Sequence, residues 1–272
     1  MGGTDVHVDI RKHGLDRSTF RVLEQAGAVT FFSAEAKQVI ETLRPVWKEK
    51  LHVVPQGVLL PKKTFPAEPL GKVKETSVNQ KKLNIVQKEA QRKRKFHILF
   101  PTGLRDVKDV LHLLPAWKSL ARELEGFQVT IIGEALDPNI FQKVQETCRD
   151  HSFITYHDAV PFEEMGRFYE QADLVINTSK EEGQPTAICE AMALGIPVIA
   201  RSNAGNRSVI EHGRTGFLYE TPMQFVDYVH ILRNDAQLRE RMKRAARHFI
   251  LTERSVAQEI ESYLFLFAKL IF

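Results

Sequence analysis

Two carboxylates and two cations stand where their types could do chemistry together. Glu182 and Glu190 are separated by seven residues, the first in a polar stretch and the second heading the apolar run EAMALGIPVIA. A carboxylate in apolar surroundings is costly unless it accepts hydrogen bonds. Sugar and ribose hydroxyls are natural donors to it; a local cap or ion pair is the structural alternative. Arg105 and Lys108 follow Gly103 in the stretch PTGLRDVKDV. Arg offers two parallel donors and Lys a point charge, so the pair could neutralise a diphosphate. The competing use is a pair of surface cations bridged to Asp106 and Asp109.

These residues need a scaffold, and residues 173–219 read as its centre. Leu174-Val175-Ile176 is a short apolar run of the kind found in a buried parallel strand. Asn177 to Gln184 is polar, contains Gly183 and reads as a loop. Pro185 suits the first turn of a helix, where its missing N–H is harmless. Ala187 to Leu194 is a helix-forming run, Gly195 suits the left-handed position that ends it, and Pro197 to Ala200 is the next strand. A βαβ unit of this kind sets loop and helix N-terminus at the carboxyl edge of a parallel sheet, where ligands of open α/β sheets bind. Backbone N–H groups of Gln184, Thr186 and Ala187 at the helix start suit phosphate.

Elsewhere the pattern is consistent with this unit. Phe96 to Phe100, Val129 to Ile132 and Ile154 to Tyr156 read as strands. Leu111 to Glu125, Phe141 to Arg149 and Glu163 to Gln171 read as the helices between them. Alternating strands and helices predict a parallel sheet. Before it, Arg17 to Ala26 has helical spacing, Ala28 to Phe32 and Leu51 to Val54 read as strands, and Ser33 is an N-cap for a helix over Ala34 to Leu43. Residues 61–95 form a basic linker or insertion, with a helix near Leu83 to Arg94 and a basic tract at Gln91 to Lys95. Residues 222–272 read as helical and end in YLFLFAKLIF.

The segment EGQPTAICEAMALGIPVIA resembles the E-x7-E segment of retaining, nucleotide-sugar-dependent glycosyltransferases of the GT-B fold, the glycosyl transferases group 1. The resemblance continues through AGNRSVIEHGRTGFLY, where a Gly-rich phosphate loop and a G-x-x-G-x-L turn follow the same strand. Gly3-Thr4-Asp5-Val6, Phe32-Ser33 and Val54-Pro55-Gln56-Gly57-Val58 are similar to segments that close that family's first domain. The resemblance implies an α/β chain of GT-B type: one complete Rossmann-like C-terminal domain over 96–250 and an incomplete N-terminal Rossmann-like domain over 1–60. Residues 61–95 would be an insertion, and the helix over 251–272 would return to the N-terminal part. It implies transfer of a sugar from a nucleotide-sugar donor to an unspecified acceptor, without a metal or other cofactor. Arg105, Lys108 and Glu182 would be catalytic. Gly103, Gln184, Thr186, Ala187, Glu190, Gly205 and Asn206 would bind donor.

Three other readings compete. A nucleotide-sugar-binding chain without turnover follows if the acceptor side is incomplete. A sugar-nucleotide epimerase could use the same fold. A glycosidase using Glu182 and Glu190 would need two carboxylates facing each other across one bond, which one loop and its following helix rarely provide. No G-x-G-x-x-G follows a strand, no G-x-S-x-G elbow occurs, and no histidine pair has metal-ligand spacing. The 43% hydrophobic and 26% charged shares are ordinary for a globular chain, and the net charge of +4 is mild, so no nucleic-acid partner is expected. Cys148 and Cys189 offer no disulfide framework. With no apolar leader or membrane-length run, the expected location is cytoplasmic. Phe265, Phe267, Leu270, Ile271 and Phe272 are expected to be partly exposed, a route to self-association.

Overall fold

The computed structural model describes residues 17–61 and 96–271. The expected GTDV segment, the basic stretch over 62–95 and Phe272 lie outside the described residues.

Six strands form one fully parallel sheet: β3 His97–Pro101, β4 Gln128–Ile132, β5 Ile154–His157, β6 Leu174–Asn177, β7 Val198–Arg201 and β8 Phe217–Tyr219. Their order across the sheet is β5-β4-β3-β6-β7-β8. The chain therefore runs outward from β3 to one edge, returns beside β3 as β6, and runs outward to the other edge. This is the doubly wound arrangement, with its switch point between β3 and β6.

Side chains alternate across each strand, so each apolar run feeds two cores. Ile98, Phe100, Val129, Ile131, Leu174, Ile176 and Ile199 enter one core with Trp117, Leu120 and Phe225. Leu99, Ile132, Val175, Val198 and Ala200 enter the other with Ile188, Met192, Tyr169 and Ile250. The first core is closed by α3 Leu114–Glu123 and α8 Pro222–Asn234; the second by α5 Met165–Gln171, α6 Thr186–Leu194 and α9 Ala236–Glu253. α4 Pro138–Asp150 covers β5, and the short α7 Ala204–Arg207 follows β7.

Local chemistry sets the helix ends. Asp137 caps α4 by accepting from the Asn139 and Ile140 N–H groups. Thr221 and Gln224 form a reciprocal capping box on α8. Gly195, at φ 75°, ends α6 in the left-handed region. Two predicted helix starts moved by three residues. The helix expected from Leu111 begins at Leu114, because Pro115 has no N–H and fits only the first turn. The helix expected from Phe141 begins at Pro138, directly after its Asp cap. β8 and α7 were not anticipated; three- and four-residue elements are too short to show a period.

The N-terminal part holds α1 Arg17–Gln25, β1 Val29–Phe31, α2 Ala34–Leu43 and β2 Leu51–Val53. β1 and β2 pair in parallel as a two-stranded sheet over a small core of Leu23, Phe31, Ile40, Trp47 and Leu51. The chain leaving β2 runs onto the large domain. Val58 is buried in the second core, and its N–H donates to the Arg254 carbonyl at 2.9 Å. The Gly57 N–H donates to Glu259 Oε2 at 2.9 Å, and a Cβ on Gly57 would lie 2.6 Å from the Val256 Cα. Glu259 belongs to α10 Val256–Ile271, which lies along β2 with Leu266 buried and Phe265, Phe267, Leu270 and Ile271 exposed. Among the described residues no helix is long and apolar enough to cross a membrane.

Candidate active site

The loops that leave β3 and β6 flank the switch point, and each brings one charged residue to it. Lys108 closes a 3-10 turn, Asp106–Lys108, in the first loop. Glu182 lies in the second. Lys108 Nζ donates to Glu182 Oε1 at 2.5 Å, with the two side chains 16% and 9% exposed. The same Glu182 oxygen accepts from Ser179 Oγ at 2.6 Å and Asn177 Nδ2 at 2.9 Å. Among the described residues none donates to Glu182 Oε2.

The two loops are stitched along their length. The Lys180 N–H donates to the Val107 carbonyl at 2.8 Å, and Thr178 Oγ1 donates to the Lys108 carbonyl at 2.6 Å. Lys180 also pairs with Asp106 at 3.0 Å, but this pair is exposed and worth little. Arg201, at the end of β7, donates to Asp109 Oδ2 at 2.7 Å. Asp106 and Asp109 are thus bridged by Lys180 and Arg201, not by Arg105 and Lys108. The simple surface pairing weighed for the two loop cations is not what forms. Arg105 is exposed, and among the described residues it has no ion-pair partner.

Glu190 lies buried in α6, where the Tyr169 hydroxyl donates to its Oε2 at 2.6 Å. Burial pushes the Glu190 carboxyl up to about 7, and the Tyr169 hydrogen bond partly opposes that shift. So the local partner is Tyr169, and the other oxygen receives no donor from the described residues.

The predicted backbone donors divide. The Thr186 N–H is used by the Gln184 carbonyl at 3.0 Å, and the Asn206 N–H by Asn203 Oδ1 at 2.9 Å. Neither is available to phosphate in this conformation. Ala187, half-buried in the first turn of α6, keeps its N–H unbonded among the described residues, as helix starts do. Asn206 is fully buried; its Nδ2 ties the Asn177 side chain to the Arg201 carbonyl. Gly205 backs onto the Glu182 backbone, where a Cβ would sit 2.5 Å from the Glu182 Cβ and carbonyl oxygen. Gly103 is half-buried beside Leu136, whose Cδ1 would lie 3.0 Å from a Cβ at that position. The Gln184 side chain reaches out of the loop instead, bonding the Gln56 carbonyl at 2.8 Å and the Gln56 N–H at 3.1 Å.

Sequence reasoning missed Asn177, Thr178, Ser179, Arg201 and Tyr169. Asn177 and Arg201 end β6 and β7, so strand-end position was their one legible signal. Tyr169 comes from α5, a different element from Glu190. Among the described residues no group of three or more His, Cys, Asp or Glu side chains is placed to hold a metal ion.

Residues 81–249 match the family model described as glycosyl transferases group 1. The chain is 29% identical to the glycosyltransferase 1 domain-containing protein 1 of Xenopus tropicalis over 267 residues, covering 97% of this chain and 73% of that one. It is 30% identical to the D-inositol 3-phosphate glycosyltransferase of Paenarthrobacter aurescens over 178 residues, covering 62% of this chain and 43% of that one. The fold is similar to that of Anabaena Alr3699/HepE in complex with UDP-glucose, with a TM-score of 0.73 at 17% identity, covering 93% of this chain and 67% of that one. It is also similar to TarM of S. aureus, with a TM-score of 0.75 at 16% identity, covering 98% of this chain and 50% of that one. The doubly wound sheet, the GT-B-type likeness and a family model that spans more than half of the sequence lead to one conclusion: the chain belongs to the glycosyl transferases group 1 family.

Proposed function

We propose that this glycosyltransferase moves a sugar from a nucleoside diphosphate donor to an acceptor with retention of configuration, using protein cations in place of a metal. The observation that carries the reading is the meeting of Lys108 and Glu182 at the switch point of the sheet. Cleavage of the sugar–diphosphate bond leaves the electron pair on a phosphate oxygen. Positioned cations stabilise charge that develops in this way. Lys108 has three N–H donors, of which Glu182 uses one, so it can hold Glu182 and phosphate together. Arg105 is free to close over the same group. Glu182 Oε2 would accept a sugar hydroxyl, Glu190 the ribose hydroxyls, and the Ala187 N–H a phosphate oxygen. Gly103, Gly205 and Asn206 would shape the loops behind these contacts. A solved neighbour carries UDP-glucose in the same fold, which favours a nucleotide-sugar donor here.

The test is a binding and turnover panel of UDP-, GDP- and ADP-sugars, with the anomeric configuration of the product read by NMR. A donor whose affinity falls on Lys108→Met and whose product keeps the donor's anomeric configuration supports the reading. Diphosphate affinity indifferent to Lys108, or an inverted product, overturns it.

A further inference from the structure

We propose that Arg201 is a positioning residue: it holds Asp109 in a left-handed backbone conformation and thereby fixes the aim of Lys108. The functional half of this proposal rests on the donor reading above; the structural half does not.

Asp109 has φ 45° and ψ 51° and is the one non-glycine residue with positive φ among the described residues. A Cβ makes that region unfavourable, although Asp tolerates it better than most residues. Such a conformation persists only where its surroundings over-determine it, and such positions cluster at functional sites. The surroundings are all present. Arg201 Nη1 donates to Asp109 Oδ2 at 2.7 Å, in a pair with side chains 27% and 31% exposed. His112 Nδ1 lies 3.6 Å from the same oxygen, and its ring is stacked on Tyr219 with centroids 5.9 Å apart.

Arg201 is fixed in turn. Its Nη1 also reaches the Thr178 carbonyl at 3.3 Å, and its own carbonyl accepts from buried Asn206 at 2.8 Å. The Thr178 hydroxyl meanwhile holds the Lys108 carbonyl at 2.6 Å. The peptide joining Lys108 to Asp109 is therefore pinned on one side from β6 and on the other from β7. If Asp109 relaxed out of the left-handed region, the turn carrying Lys108 would change direction and the Lys108–Glu182 contact would open. While Arg201 holds Asp109, its guanidinium is committed to the loop.

The test compares Arg201→Met, Arg201→Lys, Asp109→Gly and the double variants with the parent chain. Glycine adopts positive φ without a brace, so Asp109→Gly should make Arg201 dispensable. The first readout is amide hydrogen exchange at Lys108, Asp109 and Lys180, which needs no ligand. The second is UDP affinity. Arg201→Met should speed exchange and weaken UDP by about tenfold each in the Asp109 background. It should add under about twofold in the Asp109→Gly background. Arg201→Lys should recover part of the protection in the first background only. An equal loss of UDP affinity in both backgrounds would make Arg201 a phosphate ligand and overturn the proposal. Unchanged exchange in Arg201→Met would do the same. If the parent binds none of UDP, GDP and ADP or their sugars, the donor reading fails, and the exchange arms still decide whether the brace exists. If Arg201→Met does not fold, the Arg201→Lys comparison across the two backgrounds decides it.

Discussion

Lys108 Nζ lies 2.5 Å from Glu182 Oε1, although they are 74 positions apart in sequence. They meet because β3 and β6 are neighbours in the sheet and both strands release their loops at the same edge. The pair is largely shielded from water, so its energy depends on every other partner of Glu182.

Lys108→Met should therefore destabilise the fold as well as impair donor binding. Loss of the cation leaves Glu182 with Asn177 and Ser179, so the cost should fall near 1.5–3 kcal/mol, about that of one charge-assisted bond. It should stay below the roughly 3–5 kcal/mol of a fully orphaned buried ion. Chemical denaturation measures the first effect and calorimetry with a nucleoside diphosphate the second. Adding Glu182→Gln should cost much less on top of Lys108→Met than it does alone, since the charge it removes no longer has a partner. Full additivity would mean that the two side chains act independently.

Much of this site was legible because strand-end position is legible. Apolar runs of three to five residues announced β3, β4 and β6, and the residues after them had to lie at the carboxyl edge. The E-x7-E spacing then put Glu182 and Glu190 on one loop and its helix. The partners were not legible. Sequence adjacency favoured Asp106 and Asp109 for Lys108, yet strand order brought Glu182 instead. Tyr169 was hidden for a similar reason: it reaches Glu190 from a helix that its own sequence ties only to β6. The backbone conformation of Asp109 left only a weak mark in residue type, since Asp tolerates the left-handed region better than most residues but is common in ordinary loops.

Glu190 should make stability and ligand affinity respond to pH in opposite directions. Its carboxyl is raised from 4.5 to about 7, first by burial. A group raised on folding contributes stability that is full below its unfolded value and is lost as pH rises through the folded one. The free energy of unfolding, read by chemical denaturation, should thus fall by roughly 3 kcal/mol between pH 4.5 and about 7 and then level off. Glu190→Gln should flatten that segment. Ribose hydroxyls donate to the ionised form, so nucleoside affinity should instead rise across the same interval. Tyr169→Phe should move both inflections to higher pH, because the Tyr169 hydroxyl favours the ionised carboxylate. Parallel slopes for stability and affinity would remove Glu190 from the ribose site.

Gly205 and Gly195 separate close packing from backbone freedom. A Cβ on Gly205 would lie 2.5 Å from the Glu182 backbone, whereas one on Gly195 meets nothing within 4 Å and strains only φ 75°. Gly205→Ala should cost about 1–3 kcal/mol by overpacking and push Glu182 away from Lys108, lowering diphosphate affinity. Gly195→Ala should cost about 1–2 kcal/mol from the left-handed backbone with affinity unchanged. Thermal melts and calorimetry on the two variants check this, and equal affinity losses would refute the packing argument.

Gln184 offers a way to divide the donor loop from the N-terminal part. Its assigned donor-side role uses the backbone, while its side-chain amide makes two hydrogen bonds to the Gln56 backbone, 128 residues away. Gln184→Ala keeps the backbone N–H and removes only the clasp. Each half-buried neutral bond is worth about 0.5–1.5 kcal/mol, so the fold should lose roughly 1–2 kcal/mol. The loss should be local. The Gln56 N–H should exchange with solvent faster, while amides of β3 and β6 keep their protection. Diphosphate affinity should hardly change, because Lys108 and Glu182 are tied to β3, β6 and β7 rather than to Gln56. A large drop in diphosphate affinity in Gln184→Ala, with Gln56 still protected, would move the Gln184 side chain into the donor site and remove its role as the clasp.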